Sequence, residues 1–313
     1  MPGRPPGGPD AQGGAKRNNG PTCRYHRSIS STNRQGMTVT ETHGLVSSHV
    51  WEPIEHPGDR LAGRAADVGE GAQDKRWAKA TALIKLPRGR GGDPLPTAVL
   101  AHERLAWELG NRLSLSVNEV LLYRLDNPAW GDLQGTWASL HCLVPEPFQR
   151  LDELPDGQWQ TIWNGQDRDT VANPDEIRDV KLFDHLIMNT DRHGKNVLVS
   201  GGKTPGKLWV YFIDHGYAFG GAIHEDQLLT ETQGAKLRGF LQQRSQLEPW
   251  WTTMSDEERT GFLPFGRRIA DLGDKEVRQL VRNLPEEVVS EPAKRYLAGL
   301  LRYQINTVRD LID

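Results

Sequence analysis

The chain has 313 residues, 25% of them charged and 36% hydrophobic. This length suggests about two folded units. The net charge of −3 argues against a protein that coats nucleic acid through bulk charge. No run approaches the roughly 18 apolar residues that span a bilayer, so an integral membrane protein is excluded. The two cysteines, Cys23 and Cys142, argue against a disulfide framework and a cysteine zinc site, and we expect a cytoplasmic protein.

Residues 1–36 differ from the rest of the chain. They are rich in glycine and proline, carry one acidic residue, Asp10, and have almost no large apolar side chain. Such a segment buries too little surface to offset its ordering entropy, so we predict a disordered tail without the apolar stretch of a signal peptide. A translation start at Met37 is an open alternative.

From about residue 48 the pattern becomes globular and mixes strands with one helix. The run 77–86 predicts strand segments, and the glycine-rich stretch 88–94 predicts a loop. Apolar residues over 99–113 follow helical spacing, whereas 117–125 and 136–144 predict two further strands.

The second half is mainly helical around one hairpin. Helical periodicity over 177–187 follows a good helix start at Asn173-Pro174. Two apolar runs, 197–199 and 208–213, flank a turn-rich segment and predict a β-hairpin. Residues 227–313 predict a set of helices.

The most informative residues lie around this hairpin. Asp191 is followed by Asn196 before the first strand, and Asp214 and Gly216 follow the second. An acid that orients a hydroxyl, with an amide and a second acid that bind Mg²⁺, fits Mg²⁺-dependent phosphoryl transfer. The hairpin brings Asp214 back near Asn196, and Gly216 is expected to leave room for the backbone turn.

These motifs resemble the HipA-like branch of the protein-kinase-like superfamily, with its DRHxxN loop and later metal-binding Asp. The phosphatidylinositol 3/4-kinases share this loop order. The resemblance implies that Asp191 is the catalytic acid and that Asn196 and Asp214 are the Mg²⁺ ligands. His193 matches the loop histidine that supports the acceptor or phosphate, and Arg192 is expected to organise the loop through hydrogen bonds.

A kinase also needs a strand lysine and a helix acid that holds it. In the nucleotide-binding part of the site, Lys85 matches the strand lysine that reaches the phosphates, and Glu103 matches the helix acid that holds this lysine. Lys79 competes with Lys85, and Glu108 competes with Glu103 on the same helix.

The phosphate-covering loop is the weakest assignment. Gly63, Gly69 and Gly71 precede the lysine strand and could let backbone N–H groups approach phosphates, although Asp67 and Glu70 beside them do not favour this.

The resemblance implies an α+β, bilobal protein-kinase-like fold. We expect a small sheet-rich N-lobe over 48–145 and a mainly helical C-lobe over 146–313, with the nucleotide base near 140–144. The implied cofactors are ATP and Mg²⁺, and the γ-phosphoryl group would pass to a hydroxyl. A protein Ser or Thr is favoured as acceptor over an inositol lipid or a small metabolite.

Two other functions stay open. A cluster including Asp184, His185 and His215 could serve a metal-dependent phosphohydrolase, although this leaves Asn196 and Lys85 unexplained. A catalytically weak pseudokinase would be a nucleotide-binding regulatory module. HipA proteins have a longer segment before the kinase core, and no helix-turn-helix pattern is visible here, so a toxin role and direct binding to nucleic acid are not expected.

Overall fold

A computed structural model describes most of the chain after the predicted tail. The described residues are 49–54, 61–62, 80–86, 97–142, 148–155, 157–201, 205–221 and 236–313. The predicted disordered tail, the predicted loop 88–94, Lys79 and the glycines at 63, 69 and 71 lie outside these ranges. The division into units at 48–145 and 146–313 stays a prediction.

An antiparallel five-stranded sheet carries the first half. Its strands are β1 (His49–Ile54), β2 (Leu61–Ala62), β3 (Ala80–Lys85), β4 (Val120–Arg124) and β5 (Trp137–Cys142). Their order across the sheet is β1-β3-β5-β4-β2. Strand β3 therefore lies between two partners, and Lys85 at its end pairs with Ser139 of β5.

A smaller antiparallel sheet follows in the second half. It consists of β6 (Phe148–Arg150), β7 (Val197–Gly201) and β8 (Leu208–Phe212), in the order β6-β7-β8. Strands β7 and β8 form the predicted hairpin, with Val197 opposite Phe212 at its open end. This register brings the residues just before β7 close to those just after β8.

Besides three short 3-10 helices, eight α-helices lie in the described ranges. They are α1 (Ala98–Arg112), α2 (Gln158–Trp163), α3 (Pro174–Leu186), α4 (Lys236–Arg244), α5 (Leu247–Thr252), α6 (Asp256–Ala270), α7 (Asp274–Arg282) and α8 (Glu291–Ile312). Helix α6 begins with a capping box, because Ser255 and Glu258 satisfy each other's backbone N–H groups. Among these described helices, none is both long and apolar enough to cross a membrane.

The buried side chains form two clusters. The larger one joins α1, α3, the small sheet and the C-terminal helices, and it includes Leu105, Phe183 and Phe265. The smaller one lies on the five-stranded sheet and includes Ile84 and Leu140. Burial of these apolar surfaces is the main favourable term in the fold.

The helical prediction over 99–113 is confirmed as α1, and the prediction over 177–187 as α3. The strand prediction over 117–125 was wrong at its start, since β4 begins at Val120. Val117 instead forms an isolated parallel bridge with Phe212 of β8. The short segment before β4 thus pairs with the hairpin strand rather than with β5.

Candidate active site

Lys85 joins two acidic residues that are far away in the sequence. Its Nζ donates to Glu103 Oε1 at 2.5 Å and to Asp214 Oδ1 at 2.7 Å. The side chains of Lys85, Glu103 and Asp214 are 12%, 1% and 15% exposed. Three of the residues predicted from the sequence therefore meet at one buried charge cluster.

Helix α1 supplies Glu103 and not Glu108 to this cluster. Glu103 Oε2 also accepts from the backbone N–H of His215 at 2.8 Å. Glu108, five positions further along α1, pairs with Arg104 on the same helix. The choice between the two acids is thus settled in favour of Glu103 as the partner of Lys85.

The cluster holds Lys85 in its charged form. Burial lowers the pKa of Lys85, but the carboxylates of Asp214 and Glu103 outweigh this effect and raise the pKa above its ordinary value. For Glu103, burial raises the pKa, whereas the charge of Lys85 opposes the shift. A buried cation held in position by carboxylates is suited to bind an anionic ligand such as a phosphate.

The turn after β8 places Asp214 in the cluster through an unusual backbone. Asp214 has a φ of 62°, in the left-handed region that few non-glycine residues adopt. Gly216 lies in the turn and leaves room there, as expected, although its φ is not positive. A Cβ at Gly216 would lie 2.7 Å from Val99 Cγ1 and 3.5 Å from Glu103 Oε1. Glycine is needed there because α1 approaches closely.

The loop between α3 and β7 holds Asp191 beside Asn196. Asn196 Nδ2 donates to the backbone oxygen of Asp191 at 2.8 Å and lies 3.3 Å from Asp191 Oδ2. The backbone N–H of Asp191 donates to Asn189 Oδ1 at 3.2 Å. Asp191 is 42% exposed at its side chain, so its carboxylate is accessible from solvent.

His193 lies on the exposed side of the same loop. Its Nε2 is 3.6 Å from Asp191 Oδ1, beyond hydrogen-bond distance, and its side chain is 50% exposed. His193 is therefore close to Asp191 but separate from the buried cluster around Lys85.

Arg192 organises the loop, as its position in the motif predicted. Its guanidinium pairs with Asp184 of α3 at 2.9 Å and donates to the backbone oxygens of Asn196 at 2.7 Å and Ile213 at 2.9 Å. It also contacts His215 Nε2 at 2.7 Å. One buried side chain thus connects both sides of the hairpin's open end.

Asp184 and Asn189 were missed as supports of this loop. Asn189 Nδ2 donates to Asp184 Oδ1 at 2.8 Å, and both side chains are buried. The sequence does carry a signal for this role: Asp184 lies among the apolar residues of α3. An acid at such a position is expected to be buried, and a buried acid requires a hydrogen-bonding or charged partner.

The geometry gives no support to the alternative metal cluster. The carboxylate of Asp184 accepts hydrogen bonds from Arg192 and Asn189. The ring of His185 stacks on Trp250 with 4.2 Å between the ring centroids. Within the described ranges, no group of three or more His, Cys, Asp or Glu residues could hold a metal ion.

The residues at the open end of the hairpin do fit a Mg²⁺ site, with one amide and one carboxylate as the protein ligands. Asn196 is buried, and among the described residues its Oδ1 has no hydrogen-bond partner. A buried amide oxygen normally has a partner, so this atom is a candidate for an ion's ligand. The hydrogen bond from Ile213 N to the backbone oxygen of Asn196 at 3.2 Å brings the Asp214 turn next to it. Amide and carboxylate oxygens are ligands that Mg²⁺ accepts.

Comparison with solved structures supports a kinase-like fold. The crystal structure of the Helicobacter pylori proinflammatory kinase CtkA matches with a TM-score of 0.53 and 14% identity, covering 81% of this chain and 95% of that one. The Shewanella oneidensis toxin–antitoxin complex of HipA, HipB and operator DNA gives a TM-score of 0.41 and 12% identity, over 83% of this chain and 71% of that one. That second score is too low to carry an argument.

The chain is therefore a mixed α and β protein whose fold is similar to that of CtkA, and a bilobal arrangement stays a prediction. This likeness agrees at the level of the fold with the resemblance to the HipA-like kinases drawn from the sequence motifs. No protein-family model matches the chain. No curated protein matches it either.

Proposed function

We propose that this protein is an ATP- and Mg²⁺-dependent kinase that transfers the γ-phosphoryl group to a hydroxyl, with a protein Ser or Thr as the favoured acceptor. The observation that carries the proposal is the convergence of Lys85, Glu103 and Asp214 near Asn196, whose Oδ1 has no hydrogen-bond partner among the residues that the structure describes. A cation, two acids and an amide oxygen are parts that phosphoryl transfer uses.

Each residue has a role that its contacts support. Lys85 binds the nucleotide phosphates, and Glu103 fixes the position of its Nζ. Asn196 and Asp214 would hold Mg²⁺, which neutralises charge on the phosphates when bound. The contact of Lys85 with Asp214 connects these two groups of residues. The contact of Asn196 with Asp191 links the second group to the acid of the loop.

Asp191 acts on the acceptor. Its carboxylate is partly exposed, so a hydroxyl from another molecule can approach it. Asp191 orients this hydroxyl and receives its proton while the oxygen forms a bond to the γ-phosphorus and the bond to ADP breaks. His193, exposed beside Asp191, supports the acceptor or the transferred phosphate.

The site also suggests where the nucleotide lies. We place it between an N-lobe over 48–145 and a C-lobe over 146–313, because Lys85 comes from the five-stranded sheet and Asp191 precedes the small one. The base would lie near 140–144, a range that begins with the end of β5 beside β3, while 143 and 144 lie outside the described residues. The resemblance favours a protein acceptor over a lipid or a small metabolite.

The test is turnover of Mg²⁺–ATP by the full chain, followed as ADP formation and as the mass of the protein. A general protein substrate, casein, serves as the added acceptor. Asp214→Asn and Asp191→Asn should each abolish turnover, because one removes a metal ligand and the other the acid that takes the proton. Asp256→Asn is the matched control, since Asp256 is fully exposed on α6.

The outcomes separate the candidate functions. ADP formation together with phosphate on protein supports the kinase. ATP binding without turnover, unchanged by either variant, would favour a regulatory nucleotide-binding module. Release of phosphate from a simple phosphomonoester without nucleotide would favour a phosphohydrolase and contradict the proposal.

A further inference from the structure

A chain of four buried polar side chains runs underneath the proposed site. It links Asp184 of α3 to Arg192, Arg192 to His215, and the His215 backbone to Glu103 of α1. We call these four residues the buried polar chain. Glu103, Asp184 and His215 are 1%, 7% and 1% exposed, so the contacts are shielded from solvent.

The hydrogen-bond roles of His215 follow from those of its partners. A guanidinium can only donate, so His215 Nε2 must accept from Arg192 Nη2 at 2.7 Å. The ring is then neutral with its proton on Nδ1, the nitrogen that lies 4.0 Å from Glu103 Oε2. The backbone N–H of the same residue donates to this oxygen at 2.8 Å.

This arrangement joins two parts of the site that the sequence separates. Arg192 holds the backbone oxygens of Asn196 and Ile213, the residues on either side of the hairpin's open end. His215 directly follows Asp214 and contacts both Arg192 and Glu103. A change at the His215 ring would therefore alter the position of Asn196 relative to Asp214 and the Lys85 pair.

We propose that His215 is a positioning residue that couples the Asp191–Asn196 loop to Asp214 and to the Lys85–Glu103 pair. Its ring nitrogen fixes the orientation of Arg192, and its backbone fixes Glu103. The inference rests on the proposed kinase function, but its structural part concerns contacts that exist before any nucleotide binds.

The experiment compares two substitutions of His215 in the full chain. His215→Phe keeps a flat ring beside Phe183, whose centroid lies 6.1 Å away, but removes the acceptor. His215→Gln restores an acceptor oxygen for Arg192. His185→Phe is the control, because His185 is another histidine packed on an aromatic ring, Trp250, at 4.2 Å.

We expect His215→Phe to lower kcat about 10- to 100-fold, the range for loss of a hydrogen bond to a charged group. KM for Mg²⁺–ATP should rise by no more than about tenfold, because the Asn196–Asp214 pair is displaced while the contact of Lys85 with Glu103 remains. His215→Gln should recover kcat to within about fivefold of the wild-type value. The control, His185→Phe, should have the kcat of the wild type. Wild-type kcat in His215→Phe, or equal losses in the Phe and Gln variants, would overturn the proposal.

A second readout does not depend on turnover. Nitrogen-15 NMR of nucleotide-free protein should show His215 with its proton on Nδ1 only. The backbone amide signals of Asn196 and Asp214 should shift in His215→Phe and return in His215→Gln. Amide signals that do not move in His215→Phe would overturn the coupling even if the wild type is an active enzyme. If the signals shift as expected but the wild type has no turnover, only the kinase function is contradicted.

Discussion

Lys85 is the residue on which the candidate site depends most directly. Its ammonium group contacts Glu103 and Asp214, and burial of such a charge is tolerated only with close partners. The raised pKa of Lys85, in which the two carboxylates overcome the effect of burial, keeps the side chain cationic at neutral pH. Removal of either acid leaves a buried charge with less compensation.

Glu103→Gln should reduce turnover more than Glu108→Gln. Glu103 accepts from both Lys85 and the His215 backbone, whereas the partner of Glu108 among the described residues is Arg104 on the same helix. Loss of a charged partner for Lys85 predicts a fall in kcat/KM of about 10- to 100-fold. The measurement is ADP formation, with circular dichroism to confirm folding. A larger loss for Glu108→Gln would contradict the assignment of Glu103.

At this scale the sequence predicted residue types better than partners. The motif spacing, which matches a known chemistry, singled out Lys85, Glu103, Asp191, Asn196 and Asp214, and their functional roles stay predictions. The contact of Lys85 with Asp214 spans 129 positions, so no local pattern contains it. The choice of Glu103 over Glu108 depends on which face of α1 meets Lys85, and both acids lie on the same helix.

At the scale of elements, the close approach of α1 to the turn after β8 defines the site. Gly216 faces Val99 at the start of α1, and His102 Nδ1 donates to the backbone oxygen of Gly216 at 3.0 Å. The helix that supplies Glu103 is thus packed directly on the turn that supplies Asp214. The spacing between helix and turn sets the distance between the two acids.

Gly216→Ala should separate these elements and impair the site. The added Cβ would lie 2.7 Å from Val99 Cγ1, and Val99 is β-branched and cannot easily rotate away. Overpacking of this kind costs about 1–3 kcal/mol of folding free energy. Thermal unfolding and ADP formation measure the two effects.

Val99→Ala in the Gly216→Ala background should restore part of both losses, since it removes the methyl group that the new Cβ meets. Gly239→Ala on α4 is the control, because a Cβ there meets no atom of another described element within 4 Å. If Val99→Ala gave no recovery, the contact between α1 and the turn would not be the cause of the defect.

The elements themselves were largely predictable from periodicity. Helices α1 and α3 and the β7–β8 hairpin lie close to the predicted ranges because their apolar spacing is regular. The start of β4 was not predictable in this way. Val117 lies three positions before Val120, the first residue of β4, but its partner Phe212 lies in a different sheet, and such pairing is not encoded in local alternation.

At the scale of the whole molecule, α1 links the five-stranded sheet to the C-terminal helices. Thr97 Oγ1 donates to the backbone oxygen of Val288 at 2.9 Å, and Arg112 pairs with Glu276 of α7. The helix is therefore held at both ends by the C-terminal part of the chain. We expect the candidate site and the C-terminal helices to unfold together.

Acid should destabilise the fold through buried His102. Burial, against the hydrogen bond to Gly216, lowers the pKa of His102 from 6.5 to about 4. Between these values the unfolded chain binds more protons, so the unfolding free energy falls with falling pH from about 6.5 to about 4 and this contribution levels off below. A shift of this size is worth about 3 kcal/mol.

His102→Asn isolates this contribution, because an amide can still donate to Gly216 but does not titrate. Urea unfolding at several pH values should give a smaller loss of stability on acidification in the variant than in the wild type. An identical pH dependence in both proteins would show that His102 does not titrate as its burial indicates.

The most direct test of the site is calorimetric titration of the full chain with ATP, with Mg²⁺ and with excess chelator. Asn196 Oδ1 and Asp214 are proposed to meet the metal, so ATP should bind at least about tenfold more tightly with Mg²⁺. Asn196→Ala should remove most of this difference while ATP still binds through Lys85. Equal affinity with and without Mg²⁺, or no binding of ATP, would contradict the account.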